Sequence, residues 1–198
     1  VASGRAERDP TGDLRGALKA VKHKHHAFIK ADELPEYLAK LEAYDGNALT
    51  QLALKFLLLT FVRSGELRGA QWTEINFDKA EWRIPAERMK MKTMHVVPLC
   101  SQALAILRQV QQYTGNREHV FPNQYHPRGC MSENTLLYAL YRMGYHSKAT
   151  AHGFRSTAST ILNEHGFRAD VIEHQLAHTQ RNQVRAAYNH AEYLPERK

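Results

Sequence analysis

Leu52-Ala53-Leu54-Lys55-Phe56-Leu57-Leu58-Leu59-Thr60-Phe61-Val62-Arg63-Ser64-Gly65-Glu66 is the stretch that decides how this chain is read. Apolar residues fall on most sides of a helix drawn from about Asn47 to Val62, so that helix belongs in a core rather than on a surface. The run is short, broken by Lys55, and well under the roughly 18 apolar residues that a membrane span needs. Arg63 closes it. A cation at the end of a buried helix must be paired or must serve a ligand. Glu66, one turn later, is the natural partner; a purely structural ion pair fits the same two residues.

Working outward, Leu34, Leu38, Leu41 and Tyr44 recur at helical spacing from near Ala31, with Gly46 as a stop. Downstream, Trp72 to Asn76, Glu81 to Pro85 and Met94 to Leu99 alternate and are predicted as strands, with turns at Asp78-Lys79 and around Arg88. Ser101 is predicted to cap a helix ending at Gly115, and Ser132 another ending at Gly144. Further helices are expected from Ala151 to His165, from Ala169 to Leu176 and from Arg181 to Tyr188. The expected fold class is mainly α with a small three-stranded antiparallel sheet.

The 198 residues are 43% apolar and 24% charged, an ordinary globular balance. The formal charge of +7 is a modest excess that suits a polyanionic partner without requiring one. It is concentrated at the front: residues 1–28 hold six Lys or Arg against three Asp or Glu, among Gly4, Pro10, Gly12 and Gly16. That segment reads as a basic linker leading into a body of residues 29–198. It could lie along a polyanion or simply be solvated. The first residue is Val1 rather than Met, so an excised or processed piece is expected. No signal peptide is visible. Two cysteines, Cys100 and Cys130, make no disulfide framework and fit a reducing, cytoplasmic setting.

Four groups of residues could carry chemistry. His152 and Arg155 share one face of the first turn of their helix, where unsatisfied N–H groups already favour an anion. The same pair could be a surface cation and a capping histidine. Lys90 and Lys92 alternate with Met89 and Met91 between two predicted strands, so both lysines should face one side of a hairpin and the methionines the other. An exposed basic turn reads the same way. His174 and His178 stand four apart on a helix, but Gln175 follows where a zinc protease motif has Glu, and no third ligand is in view; no metal site is expected. No GxxxxGK phosphate loop is present.

The order Arg63…Lys90…His152-Gly153-Phe154-Arg155…His178…Tyr188 resembles the catalytic domain of the tyrosine recombinases, most of all the integrases of satellite phages and genomic islands. The local strings agree with the order. Thr60-Phe61-Val62-Arg63-Ser64-Gly65-Glu66-Leu67 resembles the family's first arginine box, and Ala151-His152-Gly153-Phe154-Arg155 its second. Leu176-Ala177-His178 resembles its Leu-Gly-His, with Ala in place of Gly. Ala187-Tyr188-Asn189 resembles its tyrosine box. The likeness spans roughly Leu34 to Leu194.

The resemblance implies a site-specific DNA recombinase that cuts and rejoins strands through a 3′-phosphotyrosine intermediate, with neither metal nor nucleotide cofactor. Chemistry gives these residue types jobs of their own. Attack on a phosphodiester gathers negative charge on its oxygens, which guanidinium groups can hold; Arg63 and Arg155 are assigned to this. A phenol with a pKa of about 10 needs a base, and His152 is the candidate. Lys90 can protonate the leaving 5′ oxygen as general acid, with Lys92 as its competitor. His178 would donate to a nonbridging oxygen, and Glu66 would orient Arg63. Tyr188 is the nucleophile, preferred to Tyr193. Lys92, Arg128, Lys148 and Arg181 are candidates for backbone phosphate contacts. The implied partner is double-stranded DNA, with a tetramer in the full-length protein and a monomer for this piece, and no membrane. Competing readings are a type IB topoisomerase, a catalytically silent DNA-binding module of the same fold, and a metal-dependent hydrolase using His174 and His178.

Overall fold

A computed structural model of the chain describes residues 27–126, 128–178 and 193–197. A single 3-10 turn, Ala31–Glu33, leads into α1 (Leu34–Glu42). Gly46 plays no part in ending α1, which stops four residues earlier.

The central helix α2 runs Ala48–Thr60. Asn47 starts it: its side-chain oxygen accepts from the Leu49 and Thr50 amides at 2.9 and 3.2 Å. Leu52, Ala53, Leu54, Phe56 and Leu57 are all essentially buried, as a helix apolar on most sides requires. α2 packs against α4 (Ser101–Thr114), α5 (Thr135–Arg142) and the small sheet. The Phe56 ring meets Trp82 and Phe121 at centroid distances of 5.8 and 6.1 Å. The helix ends at Phe61, whose φ of 56° turns the chain so that Arg63 begins the short α3 (Ser64–Arg68).

The sheet is antiparallel in the order β1 (Ile75–Asn76), β2 (Glu81–Ile84), β3 (His95–Pro98), with Trp82 opposite Val97 and Ile84 opposite His95. The mainly helical class with one three-stranded sheet is as expected. The first strand is much shorter than expected, because Trp72–Glu74 forms a 3-10 turn. Glu74 caps that turn by accepting from the Gln71 amide at 3.2 Å. The Trp72 indole N–H donates to the Thr114 carbonyl at the end of α4.

Neither predicted serine cap forms. Cys100 is the boundary residue of α4, and the Ser101 hydroxyl bonds Gln102 instead. α5 starts three residues after Ser132, whose carbonyl closes a backbone turn onto the Thr135 amide. Gly144, at φ 84°, stops α5 as expected. α6 (Gly153–Glu164) and α7 (Ala169–Gln175) follow, and a short helix, Leu194–Arg197, closes the described chain. Among the described residues no helix is long and apolar enough to cross a membrane.

Candidate active site

The left-handed turn at Phe61 buries Val62 and swings Arg63 to the rim of α3. Glu66 is buried and grips Arg63 twice. One carboxylate oxygen accepts from the Arg63 amide at 2.8 Å, and the other from its Nη1 at 2.7 Å. The other terminal nitrogen, Nη2, donates to the Ala177 carbonyl at 3.0 Å. The plane of Arg63 is thus fixed from two sides.

Arg155 lies beneath, in the first turn of α6, and is 4% exposed. Its Nη1 donates to the Phe61 carbonyl at 2.7 Å and its Nη2 to the Leu176 carbonyl. Its Nε is buried with no hydrogen-bond partner among the described residues. Burial, and then the Arg63 charge, pull this guanidinium down to about 10, with Glu66 and Glu173 opposing. It remains a cation at neutral pH. The two arginine boxes and the Leu176-Ala177-His178 turn therefore meet at one point, although they lie far apart in sequence.

His152 stands exposed at the N-terminal boundary of α6. The amide of Gly153 beside it donates to the Thr150 hydroxyl at 2.9 Å. A cleft of about 540 Å³ opens between His152, α3 and the β2–β3 loop, lined by Arg63, Gly65, Glu87, Lys90, Lys92 and His152 among others. Both lysines face it. Lys92 has φ 53° and its ammonium donates to the Glu87 carbonyl at 3.3 Å. The expected sorting of the methionines is half right. Met89 is buried, but Met91 is 43% exposed, because a tight turn from Met89 to Lys92 breaks the alternation.

His178 follows Ala177 directly, so it sits one residue from the Arg63 contact. Its Nδ1 lies 2.8 Å from a Glu173 carboxylate oxygen. His174 turns elsewhere, its ring 6.3 Å from His95 and 5.9 Å from Tyr193. Among the described residues no three His, Cys, Asp or Glu side chains gather as a metal site. Arg128 and Lys148 are exposed and line no part of the cleft; Lys148 instead borders a separate hollow with Glu36 and Lys40. Tyr188 and Arg181 lie outside the described residues.

The family profile described as the phage integrase family matches residues 27–194. The chain belongs to the phage integrase family. The integrase of Enterobacteria phage P4 is 45% identical over 208 residues, covering 97% of this chain and 47% of that protein. Prophage integrase IntA of Escherichia coli strain K12 is 39% identical over 196 residues, covering 99% and 48%. The chain spans about half the length of the curated relatives it matches. A crystal structure of a lambda integrase tetramer bound to a Holliday junction superposes with a TM-score of 0.64 at 21% identity, covering 85% of this chain and 52% of that one. At that identity the likeness establishes the fold: this is a tyrosine recombinase catalytic-domain fold.

Within this integrase fold, several supporting residues escaped the sequence reading. Arg88, read only as part of a turn, donates to both Glu74 oxygens at 2.6 and 2.7 Å and to the Glu66 carbonyl at 2.5 Å. Glu74 also accepts from the Trp82 indole at 2.9 Å. The lysine loop is thereby tied to the element that presents Arg63. His95, on β3, is buried, and its imidazole is pushed down to about 3. Burial is the main cause, followed by Arg197 and His174; a backbone hydrogen bond at Gln175 opposes them, and Arg155 adds to the depression. Sequence spacing offers no signal for either residue. Ala177 is the departure from the family's glycine, and its φ of 47° is the backbone reason a glycine suits that position.

Proposed function

We propose that residues 29–198 are the catalytic domain of a site-specific DNA recombinase, with residues 1–28 as its basic linker. The observation that carries this reading is the convergence of Arg63, held by Glu66, with Arg155 on the carbonyls of the Leu176–Ala177 turn, beside a cleft lined by Lys90 and His152.

In the proposed reaction the Tyr188 hydroxyl attacks the scissile phosphorus. His152 accepts the phenolic proton. The P–O5′ bond breaks, and Lys90 gives its proton to the leaving 5′ oxygen. Arg63 and Arg155 hold the charge that builds on the nonbridging oxygens, and His178 donates a further hydrogen bond there. The product is a 3′-phosphotyrosine and a free 5′-hydroxyl. Attack by a 5′-hydroxyl of another strand reverses the steps and rejoins DNA, so the bond energy is conserved without a nucleotide cofactor. Lys92, Arg128, Lys148 and Arg181 are proposed phosphate-backbone contacts. The substrate is double-stranded DNA. The full-length protein is proposed to work as a tetramer, the assembly in which lambda integrase is seen on a Holliday junction.

The test is covalent trapping on a nicked suicide duplex carrying the cognate site. Wild-type protein should give a protein–DNA adduct that resists denaturant, and Tyr188→Phe should bind the same DNA and give none. A surviving adduct in Tyr188→Phe would show a different nucleophile. Binding without any wild-type adduct would refute the recombinase reading.

A further inference from the structure

His152 and Arg155 bracket the first turn of α6, and Gly153 lies between them with the chain's own approach running against it. A Cβ placed on Gly153 would stand 2.2 Å from the Ala27 carbonyl oxygen and 3.0 Å from the Phe28 Cα. Neither neighbour is a flexible side-chain tip, so the approach leaves room only for glycine. One turn further along α6, the buried Thr157 hydroxyl donates to the Ile29 carbonyl at 2.6 Å. The same hydroxyl lies 3.3 Å from the Gly153 carbonyl. Ile29 is 2% exposed and belongs to the main core, and the Lys30 amide donates to Glu33 at 2.9 Å. Residues 27–30 are therefore laid along the start of α6 and pinned at Ile29 and Lys30.

These contacts complete a three-sided grip. Arg155 ties one flank of α6 to Phe61 and Leu176. Phe154 packs its ring against Tyr37 of α1 at 5.4 Å. Residues 27–29 hold the remaining flank, nearest His152. A threonine in mid-helix ordinarily spends its hydroxyl on its own backbone. Here it reaches out to a strand-like segment whose carbonyl would otherwise be buried unpaired.

We infer that residues 27–30 are a brace for the active site, with Thr157 as a positioning residue and Gly153 as the space it requires. The brace sets where the first turn of α6 stands relative to Arg63, and so fixes His152 and Arg155 against the phosphate. The inference rests on the recombinase reading for its catalytic consequence, while its structural half stands separately.

The experiment uses the full chain with Thr157→Val, Thr157→Ser and Gly153→Ala. Hydrogen exchange without DNA reports on residues 27–30 and 153–156. The adduct rate at saturating suicide duplex, and the duplex concentration giving half that rate, separate positioning from binding. Thr157→Val should speed exchange in both segments together and lower the saturated rate about tenfold, because small misplacements of reacting groups cost about that or more. The half-saturating duplex concentration should stay within about twofold, and Thr157→Ser should keep the wild-type rate, since it keeps the hydroxyl. The brace is refuted if Thr157→Val loosens residues 27–30 while the first turn of α6 and the saturated rate stay as in wild type. It is equally refuted if Thr157→Ser loses as much as Thr157→Val. Should Thr157→Val fail to fold, Gly153→Ala decides, since it displaces Ala27 without removing any hydrogen bond; a wild-type rate there overturns the proposal. Absence of adduct from the wild type would sink the recombinase reading and leave the brace to be judged by exchange alone.

Discussion

Lowering the pH from 7 to 5 should destabilise the domain by about 2 kcal/mol through His95 alone. The imidazole is held at about 3 in the fold, against 6.5 when free, chiefly by burial and then by the Arg197 and His174 charges. The folded pKa is the lower of the two, so the unfolded chain binds the proton first. The penalty is absent at pH 7.5 and above, starts as the pH falls through 6.5, and grows by about 1.4 kcal/mol per pH unit until the folded imidazole itself titrates near 3. At pH 5 the gap is about 1.5 units, which gives the figure stated. Among the described residues the charged and titratable groups that act on His95, Arg197, His174 and Arg155, all disfavour its charge. Urea unfolding at pH 7 and pH 5 measures the difference, and the same pair of curves for His95→Phe isolates the residue. His95→Phe should lose about 2 kcal/mol of the pH dependence, whatever it does to absolute stability. An unchanged difference between the two pH values in that variant would refute the reasoning.

Three further outcomes follow from the contacts. Glu66→Gln keeps the shape but leaves one of its two Arg63 bonds facing a donor; adduct formation should fall by about 10–100-fold with little change in DNA affinity, and equal loss of affinity would count against an orienting role. Ala177→Gly removes a side chain from a residue at φ 47° and should stabilise the fold by about 0.5–1 kcal/mol in urea unfolding; a loss of stability would show that this backbone carries no strain. Arg88→Ala strands Glu74 among buried neighbours and should cost about 3 kcal/mol, at the low end for a broken buried pair because Arg88 is 20% exposed; a neutral result in thermal unfolding would dismiss its role in tying the lysine loop to α3.

What could be read from the sequence was local. The start of α2 near Asn47, its apolar character on most sides, the Arg63–Glu66 spacing and the first turn of α6 each depend on residues close in sequence, and each appears in the fold. What could not be read was set by contacts between distant segments. Trp72–Glu74 looks like a strand by alternation, yet its indole is claimed by Thr114 and its backbone by Glu118, which winds it into a turn. Arg88 looks like one more basic residue in a loop, because Glu74 and the Glu66 carbonyl are brought to it only by the sheet and α3. Ser101 and Ser132 have the right chemistry for caps, but the backbone at each place closes by other bonds. The glycine of His152-Gly153-Phe154-Arg155 carries no signal of its own in the sequence, because the Ala27 carbonyl that lies against it comes from the far end of the described chain.

The burial of Arg155 constrains how the cluster can work. Its two bonded nitrogens face neutral carbonyls, which satisfy geometry without cancelling charge. Arg63 stands near enough to depress its pKa, and among the described residues the carboxylate that directly binds either arginine, Glu66, is committed to Arg63. The described residues thus hold two cations close together with one carboxylate bonded directly to the pair, in surroundings drier than water, where like charges repel more strongly. That repulsion is tolerated in the free protein because Phe61 and the Leu176–Ala177 turn grip both guanidinium groups in place. In the proposed reaction an anion at Arg63 lowers that repulsion, and an anion that gains charge along the reaction lowers it further. Positive charge fixed in advance by backbone carbonyls is therefore better matched to a phosphate under attack than to one at rest.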